Sequence, residues 1–195
     1  MSAKQVVVIA GPAGSGKDSI ARELVKRCPN VTLMVTATTR VRRVGEKEAE
    51  NYYFFTNEAF LKQLAAGNIP EHYYRGITDT YYGTYKPDIE QKIASGKIVV
   101  AVVQIVGAKY LKEHYGATTI FIMPPSLDTL EKRVRDRARA PVSDIEWKER
   151  AEFAKREIAD EAPWYDYRIS NEDGKLDHAT EEVVAILKKE GYTLQ

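Results

Sequence analysis

At 195 residues, 44% apolar and 29% charged, the chain is long enough for one substantial buried core and has a globular rather than a disordered or fibrous composition. A formal net charge of +1 excludes bulk electrostatic attraction to nucleic acid or to an anionic membrane as a driving force. The single cysteine, Cys28, excludes an internal disulfide and fits a reducing compartment. No leader or anchor is legible and the longest apolar runs are strand-sized, so the expectation is a cytoplasmic protein, monomer or homodimer, with no nucleic-acid or membrane partner.

Residues 5–10 form an apolar run without polar alternation, which predicts a strand buried on both faces of a parallel sheet. Gly11-Pro12-Ala13-Gly14-Ser15-Gly16-Lys17-Asp18-Ser19 follows directly. Its glycines let successive backbone N–H groups point inward, the helix predicted over 18–27 adds its positive dipole end, and Lys17 adds a full charge. Strand, loop and helix in register predict a polyphosphate site. Asp18 stands where the usual pattern has a Ser or Thr whose hydroxyl binds Mg²⁺, and Ser19 comes one place later.

Cys28-Pro29-Asn30 ends that helix, and a second strand is predicted at 31–35. Residues 36–85 then become rich in Tyr, Arg, Thr and Gly, with strand-like pieces at 52–55 and 81–84 around a helix at 58–66, which reads as an insert hung on the sheet. Within it, Arg40 and Arg43 at i, i+3 can converge on one phosphate by bidentate donation, with Tyr52 adding a phenolic donor; read alone, they equally suit a solvated loop beside a packed aromatic strand. The α/β rhythm returns with a helix at 86–95, strands at 98–103 and 118–123 around a helix at 108–114, and a long helical stretch broken near Ala140-Pro141 and resumed over 143–161. A strand at 167–170 and a helix at 177–189 close the chain. This order predicts an α/β fold: a doubly wound parallel sheet of about five core strands, its core formed by residues 1–35 and 86–195.

Taken together, the phosphate loop, Thr38-Thr39-Arg40-Val41-Arg42-Arg43, Tyr52-Tyr53-Phe54, Glu71, Tyr81-Tyr82-Gly83-Thr84, Ile120-Phe121-Ile122-Met123-Pro124-Pro125-Ser126 and Tyr165-Asp166-Tyr167 with Ser170-Asn171 resemble the guanylate kinases, over about residues 5–190. The resemblance implies a P-loop kinase fold with a small mixed α+β nucleotide-binding insert (36–85) and a helical lid (about 137–150). It implies ATP and GMP as substrates, Mg²⁺ as cofactor and a place in purine nucleotide metabolism. By position it implies that Lys17 and the loop residues Gly11, Pro12, Ala13, Gly14, Ser15, Gly16, Asp18 and Ser19 hold the ATP phosphates, with Asn171 beside adenine. Arg40, Arg43, Tyr52 and Tyr82 would grip the GMP phosphate, and Glu71 would accept from guanine with Thr36 and Thr84 near the base. Arg133, Arg137 (or Arg139) and Arg150 are the lid arginines it implies.

Two departures stand beside it. The strand positions at which the family carries acids are Val102 and Gln104 here, and Gly-Ser-Gly-Lys-Asp-Ser resembles the loop of the related ribose 1,5-bisphosphate phosphokinases. A sugar-phosphate kinase and a non-catalytic, peptide-binding guanylate-kinase-like module therefore remain alternatives. Without the strand acids, Asp18 assisted by Ser19 becomes the candidate metal ligand, because Mg²⁺ takes one or two carboxylates together with phosphates and waters.

Overall fold

The computed structural model describes residues 4–138 and 141–195, the side chains of Ile77 and Arg137 excepted. In chain order the elements are β1 (Val6–Ala10), α1 (Lys17–Arg27), β2 (Val31–Leu33), β3 (Ala37–Thr38), β4 (Tyr53–Phe54), α2 (Asn57–Ala65), β5 (His72–Arg75), β6 (Thr80–Gly83), α3 (Lys86–Ala94) and β7 (Ile98–Ala101). They continue with α4 (Ile105–Tyr115), β8 (Thr118–Met123), α5 (Leu127–Arg137), α6 (Asp144–Arg156), β9 (Tyr167–Ser170) and α7 (Leu176–Lys189), with a π-helical turn at Glu157–Glu161.

Five strands pair in the order β2-β7-β1-β8-β9, every pair parallel. The uninterrupted apolar run of β1 is explained by its two neighbours and two covered faces. Val7 and Ile9 pack with Ile20 and Leu24 of α1 and Val183 and Leu187 of α7. Val6 and Val8 pack on the opposite face with Ala108 and Leu111 of α4. The five-stranded doubly wound sheet expected from the sequence is present.

The second sheet, β4-β3-β6-β5, is mixed: β3 pairs parallel with β4 and antiparallel with β6. Its own small core is Ala37, Phe60 and Ile69, with Tyr53, Leu64, Tyr81 and Tyr85 packed around it. Gly83 permits this closeness, since a Cβ there would lie 2.6 Å from Ile69 Cγ2 and 2.8 Å from the Glu71 carbonyl oxygen.

Several boundaries differ from the sequence-based expectation. The strand expected over 31–35 ends at Leu33: the Met34 N–H still donates 2.8 Å to the Val100 carbonyl of β7, but the Val35 N–H leaves the ladder and donates 2.9 Å to the Asp88 carboxylate of α3. Strands β3 and β5 were not expected. The first has only two residues, and all four residues of the second are exposed, so neither leaves an apolar periodicity to read. The helix expected over 143–161 changes from α to π at Glu157.

Candidate active site

β1 delivers the chain into the glycine loop, and α1 opens at Lys17 with Gly16 at its N-cap in the left-handed region, φ 94°, and no side-chain cap. The first N–H groups of the helix are thus left for an anion. Gly11 has φ 142°, and a Cβ on it would lie 2.6 Å from the Ile122 carbonyl oxygen of β8, so the loop depends on glycine there for both conformation and space. Lys17 Nζ donates 3.4 Å to the Pro12 carbonyl, curling over the loop, and stands 3.8 Å from Asp18 Oδ2.

Asn171, just after β9, donates 2.7 Å to the Ser15 carbonyl. Arg133 on α5 donates to the carbonyls of Gly14 (3.2 Å) and Asn171 (3.0 Å) and pairs with Asp173 at 2.6 Å. Here Arg133 braces the back of the loop. Together with Ser19 and Asn171 it lines a recess of about 310 Å³ on the far side of the loop from Lys17's clefts.

On the other side, a cleft of about 530 Å³ opens between the two sheets. Its walls bring together six sequence-predicted residues, Thr36, Tyr52, Glu71, Tyr82, Thr84 and Gln104, with Lys17 at the junction with the loop. Glu71 enters just before β5. Its Oε1 accepts from both the Thr84 N–H (3.1 Å) and the Thr84 hydroxyl, and Gly107 at the start of α4 has no Cβ to crowd it. Burial pushes its carboxyl above the usual range, partly offset by those two bonds.

The Tyr52 and Tyr82 rings meet edge-on at 6.1 Å, and the Arg40 guanidinium lies 5.3 Å above the Tyr52 ring. Arg40 pairs with Glu46 at 2.7 Å, and the other oxygen of Glu46 accepts from the Arg43 backbone N–H at 2.8 Å. Neither arginine forms part of the cleft wall here: Arg40 is held against Tyr52 by Glu46, and Arg43 is exposed.

A second cleft, of about 500 Å³, runs from the loop to α6 and is lined by Lys17, Val102, Trp147, Arg150 and Glu157 among others. Arg150 is paired with Glu146 at 2.6 Å. The Arg137 side chain and Arg139 lie outside the described residues. Asp18 is half exposed, and Ser19 faces the other recess, so the two candidate metal ligands do not meet in one cleft. Sequence reasoning missed Arg75, Trp147 and Glu157, which reach the site only through tertiary packing and carry no local signal.

Glu157 offers a pH test. Burial first, then the Glu161 carboxylate, push its carboxyl up to about 7 from 4.5, against the pull of Lys17. The folded protein therefore keeps a proton that the unfolded chain has released, and stability from this group falls as pH rises between those two values. Glu157→Gln is expected to flatten the dependence of Tm on pH in that window and to melt above the wild type at alkaline pH. A variant melting below the wild type there contradicts this assignment.

The sheet order, the glycine loop after its central strand and the two clefts meeting at Lys17 define a P-loop kinase. The guanylate kinase family profile matches residues 3–190. A guanylate kinase of Carboxydothermus hydrogenoformans is 37% identical over 186 residues, covering 95% of this chain and 88% of that protein. One from Thermotoga maritima is 37% identical over 189 residues, covering 95% and 87%. Among solved structures, guanylate kinase from Anaplasma phagocytophilum superposes with a TM-score of 0.74 at 28% identity, covering 99% of this chain and 89% of that one. The chain belongs to the guanylate kinase family.

Proposed function

We propose that this protein transfers the γ-phosphoryl group of ATP to GMP, forming ADP and GDP. The observation that carries the reading is the cleft between the sheets, whose walls hold both a half-buried carboxylate, Glu71, and Lys17 of the phosphate loop. A carboxylate in that position recognises N–H donors on a base edge. GMP offers such donors; ribose 1,5-bisphosphate has no base, which favours the nucleotide over the sugar phosphate. A peptide-binding module would have no use for the intact loop and its lysine. We read 36–85 as the acceptor-binding insert and about 137–150 as a lid, in a cytoplasmic enzyme of purine nucleotide metabolism. No helix among the described residues is long and apolar enough to cross a membrane.

Phosphoryl transfer asks the protein for positioning and charge cancellation more than for covalent chemistry. The loop amides and Lys17 would hold the donor phosphates, and Asn171 and the 310 Å³ recess would take the adenine side. Tyr52 and Tyr82, with Arg40 and Arg43 released from Glu46, would hold the acceptor phosphate. That exchange swaps one carboxylate partner for a doubly charged one. Arg150 would turn from Glu146 to the transferring group as the lid closes, which excludes water and protects ATP from hydrolysis.

The donor set also fits Mg²⁺. Among the described residues no group of three or more metal-ligating side chains gathers; Asp18 is the carboxylate paired with Lys17, while Glu157 lines the neighbouring cleft. That suits an ion held chiefly by phosphates and waters, which would neutralise the β,γ oxygens. Asp18→Ala is expected to raise the Mg²⁺ needed for half-maximal rate by about tenfold, with Asp18→Ser milder; an unchanged Mg²⁺ titration removes Asp18 from that role.

Glu71→Gln tests the acceptor assignment. Replacing the base-facing carboxylate with an amide leaves a donor opposite a donor, so kcat/KM for GMP should fall by about ten- to a hundredfold while that for AMP does not fall. Equal losses on both nucleotides would mean that Glu71 supports the insert rather than reading the base.

A further inference from the structure

The two clefts that meet at the phosphate loop share part of their walls, and of the residues common to both only Lys17 and Arg75 carry a charge. Lys17 comes from the core and Arg75 from the opposite side, at the end of β5. Strand alternation puts it there. His72 and Tyr74, though exposed, lie on the face of the sheet that carries Phe60 and Tyr81, their rings 6.3 Å and 4.7 Å from those, while Tyr73 and Arg75 face the cleft. The strand is fixed along its length by pairing with β6, Tyr73 opposite Tyr82 and Arg75 opposite Thr80. Tyr73 stacks on Tyr82 at 6.1 Å, so the wall carrying Arg75 is continuous with the wall that would hold the acceptor phosphate.

Arg75 also differs in its partners. Arg40, Arg133 and Arg150 are each paired with a carboxylate. Among the described residues no carboxylate pairs with Arg75, which faces the junction exposed. A planar, permanently charged fork of donors in that position matches a phosphoryl group better than a lysine would.

We infer that Arg75 is a further catalytic residue, contacting the phosphoryl group as it passes between the nucleotides; this rests on reading the 530 Å³ cleft as the acceptor site. In the transfer, an acceptor phosphate oxygen bonds to the γ-phosphorus while the bond to the β,γ-bridging oxygen breaks, and that oxygen leaves on ADP with its electron pair. Charge spreads over the three peripheral oxygens of the group in flight. Lys17 approaches them from the donor side and Arg75 from the acceptor side, and closure of the insert shortens the second approach.

The test compares Arg75→Ala, Arg75→Gln and Arg75→Lys with the wild type, using GMP or whichever acceptor the wild type phosphorylates. The two uncharged variants are expected to lose kcat by on the order of 10²-fold with KM for ATP and acceptor little changed, and lysine to recover part of the loss. A pentaphosphate linking adenosine to the acceptor nucleoside, measured by calorimetry without turnover, should bind the uncharged variants at least about tenfold more weakly, while ATP alone binds as before. Arg75→Gln keeps most of the side chain's length, so it carries the test if the alanine variant melts lower. The inference fails if Arg75→Gln keeps kcat within about threefold of wild type, if it loses turnover with unchanged affinity for the pentaphosphate, or if lysine rescues nothing. A wild type that ignores GMP but phosphorylates another acceptor would overturn the proposed function and leave the Arg75 comparison intact.

Discussion

Lys17→Ala is expected to lower kcat/KM by on the order of 10³-fold with little change in Tm. The ammonium curls over the loop toward the Pro12 carbonyl at 3.4 Å and lines both clefts, so it belongs to the phosphate path from either side. Its loss removes a full charge where two highly anionic groups must be brought together, and no other described side chain occupies that point from the core. The fold does not depend on it, because its direct contacts with the described residues are one long hydrogen bond and a solvent-screened pair with Asp18. The check is a coupled ADP assay beside thermal melting. Turnover within about tenfold of wild type would mean that the loop amides alone carry the donor.

The largest expected effect on stability is at Asp88. This carboxylate is 3% exposed and accepts from the Val35 N–H at 2.9 Å, the Tyr53 hydroxyl at 3.1 Å and Lys92 Nζ at 2.7 Å. It ties the end of β2 in the first sheet, β4 in the second sheet and helix α3 together at the point where the chain passes from one sheet to the other and back. Asp88→Ala strands a buried backbone donor and leaves the half-buried Lys92 ammonium with the Leu33 carbonyl alone (2.7 Å) and no counter-charge, at a cost of about 3 kcal/mol, or roughly 6–12 °C in Tm. Tyr53→Phe removes only one of the three donors and should cost about 1 kcal/mol. An Asp88→Ala protein melting within about 2 °C of wild type would mean that water replaces the carboxylate without penalty.

Much of the core was legible in the sequence, for a physical reason. A strand covered on both faces, such as β1 or β8, is written as a continuous apolar run, and a phosphate loop needs glycines at fixed offsets that nothing else requires. The insert was legible only as a change of composition. Its strands β3 and β4 have two residues each and β5 is exposed, so pairing across the sheet rather than periodicity defines them. Tyr52, Glu71, Tyr82 and Thr84, which only the resemblance singled out together, line one cleft because those pairings bring them side by side. The partners that hold the arginines could not be read. Glu146 against Arg150 is an i,i+4 helix pair, but Glu46 against Arg40 in a loop and Asp173 against Arg133, forty residues away, follow no periodicity. The same holds for Glu157, at the start of the π-helical turn, which tertiary packing brings near Lys17.

The measurement that bears most directly on the central claim is a competition: γ-labelled ATP and Mg²⁺ with an equimolar mixture of GMP, AMP, UMP and ribose 1,5-bisphosphate, the labelled products separated at early times. The half-buried Glu71 carboxylate predicts that GDP takes nearly all of the label, with AMP at least about tenfold behind. Label divided evenly among the nucleotides, or carried mainly by the sugar phosphate, would contradict a guanine-reading acceptor cleft.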